Sequence, residues 1–429
     1  MREMKDSGVE WIGEIPKDWK VSRLKYVLSE AMKYGANETG VEYSSEMPRY
    51  IRITDISLDG KLKDTGKLSL PNNVAKEYIL KDKAILFARS GATVGKTFIY
   101  KSEYGKMAFA GYLISAYCNE KLFSPELLYY FTNSFAYSEW INRVFSQSTI
   151  QNIGADKYVN MILAVPKIAE QQQIVDYLDT KCSEIDATTE DIQKEISLLE
   201  DYKKSVITEA VTKGLNPDVE MKDSGIDWIG EIPKDWKVDK IKYHLKRNEP
   251  KNPGNAIVLS VYRDYGVIPK DSRDDNHNVT SEDTSKYKYV KKGQLVINKM
   301  KAWQGSLAVS DYDGIVSPAY FIYDFIDEEY NHKYFHYLVR SCYKEEFKRI
   351  SGGIREGQWD LSPEGFSNTL VLLPSIEEQN KILDYILQKE MEIDSLIADK
   401  KRQLDILAEY KKSLIYEYVT GKKEVPVHE

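Results

Sequence analysis

The segment from Gly91 to Thr97 has the residue types of a phosphate-binding loop, in which backbone amides and a lysine hold a nucleotide. That loop needs four residues between its two glycines, and only three separate them here. The segment also continues into Phe98-Ile99-Tyr100, which favours a strand where the motif requires a helix. The sequence therefore argues against nucleotide binding, and it leaves Arg89 and Lys96 as candidate contacts to DNA.

Other residues that could perform chemistry are sparse. His332 and His336 have a helical spacing suited to zinc, but no third ligand recurs nearby. Glu220-Met221-Lys222 is similar to the end of a nuclease motif, yet it recurs as Glu3-Met4-Lys5 within a repeat, which favours a structural role. An adenine methyltransferase needs an Asn/Asp-Pro-Pro-aromatic motif and a glycine-rich cofactor loop, and neither is found. We therefore expect no catalytic residue, no bound cofactor and no metal site in this chain.

Length and composition predict a globular protein. The chain has 429 residues, 42% of them hydrophobic and 30% charged, which suggests two or three domains with cores of their own. It contains no apolar run of 18 residues and no signal peptide at its first residues. Its three cysteines are far apart, which favours reduced thiols. We expect a cytoplasmic location.

Two blocks of sequence occur twice. Residues 4–28 and 221–245 are identical at 19 of 25 positions, at an offset of 217. Residues 153–212 and 361–420 align without gaps at an offset of 208. The segments between these blocks resemble each other only faintly. A repeated frame with divergent inserts suggests two similar modules that recognise two different things.

The second block of each repeat predicts a long helix. Apolar residues recur every seven positions, which is typical of a coiled-coil seam. The seam residues of the first copy are Val175, Leu178, Cys182, Ile185, Ile192, Ile196, Leu199 and Val206, and those of the second are Leu383, Ile386, Ile393, Ile397, Leu404, Leu407 and Leu414. Each helix would be about 68 Å long at 1.5 Å per residue. We expect the two to pack on each other; the alternative is that each lies on its own domain.

The inserts favour a mixture of strands and helices. Short apolar runs bounded by glycine, proline or charge predict strands at 84–87, 161–165, 295–297 and 369–373. Amphipathic patterns predict single helices at 124–145 and 328–350. Each module is therefore expected to be a mixed α+β domain.

The first block of each repeat contains aromatic and proline residues, at Trp11–Trp19 and at Trp228–Trp236. They could form a partner-binding surface, or they could hold each module against the end of the preceding helix. We favour the second interpretation. Because the second copy directly follows a long helix and the first opens the chain, the end of the chain should lie near its beginning.

The negative charge is concentrated in the predicted helices. Residues 168–213 have a net charge of -6 and residues 376–423 one of -1, which together equal the -7 of the chain. Residues 285–310 contain six lysines and no acid, and residues 74–101 also contain a cluster of bases. Bases interleaved with aromatic residues fit a nucleic-acid surface, and the alternative is a solvated lysine-rich strand edge.

The order of these motifs resembles the specificity subunit of type I restriction–modification systems. The resemblance covers essentially the whole chain. It rests on the two WIGEIPxxW blocks (Trp11–Trp19 and Trp228–Trp236), the helix starts Pro166–Ile174 and Pro374–Ile382, the repeated DYKKS and EYKKS, and the segments Ser146–Ile153, Asn298–Gly305 and Asp313–Tyr320.

The resemblance implies two target-recognition domains separated by two long antiparallel helices. Each domain would read one half of a split DNA target, while the helices set the gap and bind two methyltransferase subunits. Motor-nuclease subunits would join for cleavage. S-adenosylmethionine, ATP and Mg would belong to these partners. The predicted divisions are 1–166 (first recognition domain), 167–214 (first helix), 215–374 (second recognition domain), 375–423 (second helix) and 424–429 (tail).

Candidate DNA contacts are polar and aromatic side chains of the inserts; among them, arginine and lysine suit guanine, and asparagine and glutamine suit adenine. They are Arg89, Ser90, Thr93, Lys96, Gln147, Thr149, Gln151 and Asn152 in the first module, and Asn298, Lys299, Lys301, Trp303, Gln304, Arg355 and Gln358 in the second. The rival interpretation is a coiled-coil scaffold with two interaction modules that do not read DNA.

Overall fold

The computed structural model describes residues 2–57, 60–91, 94–146, 152–254, 256–263, 265–272, 283–353 and 359–426. The chain divides into two compact units, one formed by residues 1–193 with 402–429 and the other by residues 194–401. Each unit contains one insert and a section of each long helix. The finer division into five parts stays a prediction.

The first unit begins with the elements β1 (Met4–Asp6), β2 (Glu14–Pro16), β3 (Lys20–Arg23), β4 (Lys33–Tyr34), β5 (Val41–Glu42), β6 (Arg49–Ile51), β7 (Leu68–Ser69), α1 (Asn72–Ala75), β8 (Ile85–Ala88), β9 (Thr97–Ile99), β10 (Met107–Phe109) and β11 (Leu113–Ala116). It continues with α2 (Pro125–Phe131), α3 (Phe135–Ser146), α4 (Ala155–Tyr158), β12 (Ile162–Val165) and the start of α5 (Ile168–Lys213).

The second unit contains β13 (Met221–Asp223), β14 (Glu231–Pro233), β15 (Lys237–Lys240), β16 (Leu245–Arg247), β17 (Leu259–Tyr262), β18 (Gly266–Pro269), β19 (Lys288–Val290), β20 (Leu295–Asn298), β21 (Leu307–Val309), β22 (Gly314–Val316) and β23 (Tyr320–Phe325). The elements α6 (His332–Cys342), α7 (Lys344–Arg349), β24 (Ser351–Gly352), β25 (Asp360–Leu361), α8 (Pro363–Asn368), β26 (Leu370–Leu373) and α9 (Ile376–Val419) follow.

Both units are built on an antiparallel four-stranded sheet with the same strand order. The order is β4-β11-β8-β9 in the first unit and β16-β23-β20-β21 in the second. Successive residues of a strand point to opposite faces, so each sheet separates two cores. Ile85 and Phe87 lie in one core and Leu86 in the other, and Val296 lies in a different core from Leu295. These central strands are buried on both faces, which explains their continuous apolar runs.

A short antiparallel pair of strands joins the two repeated blocks of each unit. β3 pairs with β12, with Lys20 opposite Val165, and β15 pairs with β26, with Lys237 opposite Leu373. Within each unit, the end of the first repeated block is thus held beside the start of the second. The predicted strands before Pro166 and Pro374 are confirmed.

Sections of α5 and α9 run antiparallel within each unit. In the first unit Lys411 Nζ lies 2.6 Å from Asp186 Oδ1, and in the second Lys203 Nζ lies 2.8 Å from Asp394 Oδ2. Seam residues such as Leu178 and Ile386 are fully buried. The prediction that the two helices pack on each other is confirmed, and the alternative of separate docking is wrong.

The aromatic blocks hold each unit to its helices. Trp19 Nε1 donates to Glu170 Oε2 at 3.0 Å, and Trp236 Nε1 donates to Glu378 Oε2 at 2.9 Å. After the end of α9, Lys422 Nζ donates to the carbonyl oxygens of Ile12 at 3.0 Å and of Glu14 at 3.1 Å. The two tryptophans thus contact the beginning of the helix that follows each module, whereas the prediction named the end of the preceding helix. The contacts of Lys422 place the end of the chain beside its beginning, as expected.

The two predicted amphipathic helices are each divided in two, so the prediction of single helices was wrong. Between α2 and α3 the hydroxyl groups of Thr132 and Ser134 donate to the carbonyl oxygens of Tyr129 and Phe131, at 2.8 and 2.7 Å. Such side-chain bonds compete with helical ones. Between α6 and α7, Tyr343 leaves helical geometry with φ -102° and ψ 5°. None of the described helices combines the length and apolar character needed to cross a membrane.

Candidate nucleic-acid interface

Seven of the nine candidate DNA contacts that the structure describes lie in two loops that are equivalent between the units. The first loop (residues 89–96) joins β8 to β9, and the second (residues 299–306) joins β20 to β21. Both connect the last two strands of the sheet order given above. The first contains Arg89, Ser90 and Lys96, and the second contains Lys299, Lys301, Trp303 and Gln304. We call them the first and second recognition loops.

Arg89 and Lys299 occupy corresponding positions at the start of these loops. The amide of Arg89 donates to Tyr112 O at 3.0 Å, and its carbonyl accepts from Ile153 N at 2.8 Å. The amide of Lys299 donates to Ala319 O at 3.2 Å, and its carbonyl accepts from Leu361 N at 2.8 Å. Ile153 and Leu361 are partners in the 208-residue repeat. The two inserts therefore place a basic residue at the equivalent position of the fold, although their sequences differ.

Three predicted residues meet at the first recognition loop. Arg89 Nε donates weakly to Asn152 Oδ1 at 3.4 Å, and Ser90 pairs with Asn152 in an isolated β-bridge. The Arg89 guanidinium also lies 4.8 Å from the ring centre of Tyr34, which is 43% exposed. A planar cation beside an exposed aromatic ring and an amide forms a surface suited to a base edge or a phosphate.

The second recognition loop contacts an acid, Asp360, that was not among the candidates predicted from the sequence. Lys299 Nζ lies 2.8 Å from Asp360 Oδ2, with side-chain exposures of 32% and 49%. Asp360 lies 208 residues after Asn152, so the two residues directly precede the two copies of the repeated block. Applying that offset to the candidate Asn152 would have found it. The first unit thus has a basic side chain beside an amide, Arg89 with Asn152, where the second has a basic side chain beside a carboxylate, Lys299 with Asp360.

An aromatic pair lies beside the second loop. The rings of Trp303 and Trp359 are 5.5 Å apart, and Trp303 Nε1 donates to Met300 O at 3.1 Å. Asn298, at the end of β20, accepts a hydrogen bond from Met300 N at 3.2 Å through its amide oxygen. Lys301 is exposed and has no ion pair among the residues that the structure describes. The loop is therefore held by its own hydrogen bonds, with a cation facing solvent.

Six candidates lie outside the described residues. They are Thr93, Gln147, Thr149, Gln151, Arg355 and Gln358. All fifteen candidate contacts, including the nine that the structure describes, stay predictions as DNA-binding residues.

Several bases of the two lysine-rich stretches are already paired. Lys81 lies 2.8 Å from Glu30, Lys83 lies 2.8 Å from Glu120, and Lys288 lies 3.0 Å from Glu249. Glu30 raises the pKa of Lys81. Because these lysines are partly neutralised, the lysine-rich stretches as a whole are weaker candidates for a DNA-binding surface than the recognition loops.

The two helical histidines have structural partners. The ring of His332 stacks on Phe325 with centroids 3.9 Å apart, and His336 Nδ1 accepts from Val309 N at 3.1 Å. Burial, with help from the charges of Arg340 and Lys333, lowers the pKa of His336 to about 3. The imidazole of His336 is therefore neutral and serves as a hydrogen-bond acceptor.

A different histidine meets acids. His244, which replaces Val27 of the first copy, lies with its Nδ1 2.8 Å from Asp327 Oδ2 and 3.6 Å from Glu329 Oε2. The three residues have the donor types of a metal site. The direct hydrogen bond between the His244 ring and Asp327 is enough to explain why these side chains lie together, without a bound metal ion.

Part of the chain is similar to a known family of domains. Residues 16–198 match the family described as the type I restriction modification DNA specificity domain. The match covers less than half of the chain. The resemblance that the repeated motifs indicated is confirmed.

Proteins that this chain resembles along its length are named as type I restriction enzyme specificity subunits. The chain is 24% identical over 437 residues to the type I restriction enzyme MjaVIII specificity subunit of Methanocaldococcus jannaschii, covering 96% of this chain and 94% of the relative. It is 30% identical over 234 residues to the putative MjaX specificity subunit of the same organism, covering 53% and 52%. It is 25% identical over 222 residues to the StySPI specificity subunit of Salmonella potsdam, covering 50% and 47%. In the last two alignments the chain spans about half the length of the relative.

Solved structures share the fold. A chain from a study of complex assembly and conformational transition of the type I R-M system matches with a TM-score of 0.66 at 12% identity, over 95% of this chain and 99% of that one. The HsdS subunit of Thermoanaerobacter tengcongensis matches with a TM-score of 0.50 at 14% identity, over 95% and 98%. The predicted α+β class, with two long helices and sheet-rich modules, is confirmed.

Proposed function

We propose that this chain is the DNA sequence-specificity subunit of a type I restriction–modification complex and binds a bipartite, asymmetric DNA target. The observation that carries the proposal is the pair of equivalent recognition loops, which begin with Arg89 in one unit and Lys299 in the other. The same frame presents different side chains, so each unit would read a different half-site. The relatives' names as specificity subunits support the proposal.

The chemistry of the loops suits base reading. Arginine and lysine donate to the guanine O6 and N7 acceptors in the major groove, and asparagine pairs with adenine. Arg89 with Asn152 presents both a cation and an amide, whereas Lys299 with Asp360 presents a cation and an acceptor for cytosine N4. Direct contacts of this kind to base edges determine which DNA sequence is bound, whereas phosphate contacts fix the position of the protein on the duplex. Different pairs at equivalent points predict different half-sites.

The long helices are the proposed docking surface for two methyltransferase subunits. The first helix has a net charge of -6, which disfavours DNA phosphates and suits a protein partner. Exposed aromatic side chains recur at the repeat partners Tyr202 and Tyr410, which are 55% and 54% exposed. Stiff helices would also set the gap between half-sites, which lie about 34–36 Å apart for one turn of DNA.

The chain's part in the reaction would be binding and orientation. S-adenosylmethionine would belong to the methyltransferase subunits, and ATP and Mg to the motor-nuclease subunits. This chain would hold the duplex so that the methyltransferases reach their adenines. The proposal therefore predicts no methyl transfer by the isolated chain.

The test is to express the chain with its neighbouring modification subunit in a bacterium free of adenine methylation. Methylated adenines are then mapped across the genome. The proposal expects one motif of two short blocks separated by a fixed gap. A co-purifying complex that methylates no such motif would favour the scaffold alternative. Methyl transfer by the isolated chain would overturn the non-catalytic assignment.

A further inference from the structure

A short turn in the repeated frame, outside both inserts, exposes the same side chains in both units. It follows β3 in the first unit (residues 23–26) and β15 in the second (residues 240–243), and we call these the frame turns. Tyr26 is 64% exposed and Tyr243 is 57% exposed. Lys25 Nζ lies 5.0 Å from the ring centre of Tyr26, and Lys242 Nζ lies 5.4 Å from that of Tyr243. Packing does not explain why a large aromatic side chain remains exposed twice.

The frame turns are held rigidly from beneath. Leu24 and Ile241 are fully buried in the cores of their units. Leu24 N donates to Met161 O at 2.8 Å, and Ile241 N donates to Thr369 O at 3.0 Å. A fixed backbone orders the exposed cation and hydroxyl before any ligand arrives, which lowers the entropic cost of binding.

The cations of the frame turns have no ion pair within the described ranges. Arg23 donates to Asn160 Oδ1 at 3.4 Å, and Lys242 donates to Asn368 Oδ1 at 3.1 Å; these asparagines are repeat partners. Where the two copies differ, Arg23 is replaced by Lys240, which keeps the charge. The contrast with the paired Lys299 indicates that these positive charges are available to an external anion.

The nearest acid along the first turn is itself neutralised. Glu30 lies 2.8 Å from Lys33 and 2.8 Å from Lys81. Both contacts lower the pKa of the Glu30 carboxyl, with the Lys33 hydrogen bond as the larger cause. The Glu30 carboxylate is therefore held by two lysines outside the frame turn and does not pair with Arg23 or Lys25.

Short helices connect the frame turns to the recognition loops. In the first unit, α4 begins three residues after Asn152, and Lys25 N donates to the carbonyl oxygen of Val159 at the end of α4, at 3.0 Å. In the second unit, α8 separates Asp360 from Asn368, the acceptor for Lys242. The six residues of α8 span about 9 Å at 1.5 Å per residue. Each frame turn thus flanks the loop that is proposed to enter a DNA groove.

We propose that the two frame turns are sequence-independent clamps for the phosphodiester backbone of duplex DNA. This inference rests on the proposed function, because it assumes that the recognition loops meet DNA. Arg23 and Lys25, with Lys240 and Lys242, pair with phosphate oxygens, and the exposed tyrosine hydroxyls donate to them. Because the frame is the same in both units, each half-site receives the same backbone grip whatever its sequence. The inserts then differ only in the bases that they read.

The test uses the complex of the whole chain with its modification subunits. Lys25→Gln, Lys242→Gln and the double variant remove charge without shortening the side chain greatly. Lys17→Gln and Lys234→Gln are matched controls, because these repeat partners are exposed frame lysines already paired to Glu3 at 2.6 Å and Glu220 at 2.7 Å. Affinity for the methylated target and for an unrelated duplex is measured from about 50 to 200 mM salt.

The plot of log affinity against log salt concentration has a negative slope, and each lost phosphate contact makes that slope shallower by about 0.9. The slope of the double variant should therefore be shallower than that of the wild type by about 1.8. Both duplexes should weaken by the same factor, and the methylated motif should not change. The controls should keep the wild-type slope, and Lys25→Arg should restore it. An unchanged slope in the double variant, an altered motif, or loss of the modification subunit at an unchanged slope would overturn the clamp. A wild-type complex without sequence preference would instead contradict the proposed function.

Discussion

Lys299 Nζ lies 2.8 Å from Asp360 Oδ2, at the point where the first unit has Arg89 beside Asn152. A charge pair and a cation with an amide thus occupy equivalent places on one frame. In the second unit the Asp360 carboxylate pairs with the Lys299 ammonium group. In the first unit the neutral amide of Asn152 does not compensate the positive charge of Arg89. This difference predicts how each loop responds to substitution.

Asp360→Asn should make the second unit more like the first. Lys299 would then meet DNA without a competing carboxylate, so affinity for unrelated duplex should rise and the salt slope should steepen by up to about 0.9. The fold should persist, because partly exposed ion pairs contribute only about 0–1 kcal/mol. The reciprocal Asn152→Asp should weaken binding through the first unit. Salt-dependent binding of the assembled complex measures both, and equal slopes in all three proteins would contradict the interpretation.

Arg89→Ala should damage recognition of one half-site only. A bidentate arginine contact to a base discriminates by about 1–3 kcal/mol, so one position of that half-site should become degenerate. Lys299→Ala should do the same in the other half-site. Methylome maps of the two variants provide the measurement. A substitution that altered both halves, or neither, would remove that residue from the proposed contacts.

Gly421→Ala should loosen the closure of the chain's end onto its beginning. Gly421 has φ 71°, and an added Cβ would lie 2.4 Å from Pro16 Cδ and 3.0 Å from Trp19. Left-handed backbone and this overlap together should cost at least about 1–3 kcal/mol. Gly8→Ala is the control, because Gly8 has φ 71° but open space around its Cβ position. Thermal unfolding should show a clearly larger loss for Gly421→Ala; equal losses would mean that the closure contributes little.

Acidification should destabilise the second unit through His336. Its pKa is lowered to about 3 in the folded protein, against about 6.5 in the unfolded chain. Between these values the unfolded chain binds more protons, so stability is lost as pH falls below about 6.5. The loss is at most about 1.4 kcal/mol per pH unit, or up to about 2 kcal/mol at pH 5.

His336→Asn should remove this pH dependence while keeping an acceptor for Val309 N. The measurement is the midpoint of unfolding at pH 7 and pH 5 for the variant and the wild type. A wild-type protein that loses no more stability than His336→Asn over this range would show that His336 is not the responsible group. Carboxylates that titrate in both proteins cancel in the comparison.

The sequence by itself determined the elements whose signals are local. The seven-residue spacing of Leu178, Ile185 and Ile192 predicts a helix with a buried seam, and two copies predict a packed pair. The repeat of the Trp19 and Trp236 blocks likewise predicts equivalent clamps at each helix, because identical residues in identical contexts bury the same surface. The sequence also suggested fifteen candidate DNA contacts, which stay predictions.

Only the tertiary structure decided which of those residues meet. A β-bridge between Ser90 and Asn152, which are 62 positions apart in the sequence, brings Arg89 to Asn152. Lys299 meets Asp360, which is 61 positions away in the sequence. Such pairings depend on sheet order and register, which carry no local signature because many registers bury an apolar strand equally well. The breaks at Thr132 and Tyr343 were missed for a similar reason, since amphipathic spacing continues through them. Local periodicity thus specified the frame, and long-range strand pairing specified the surface that the frame presents.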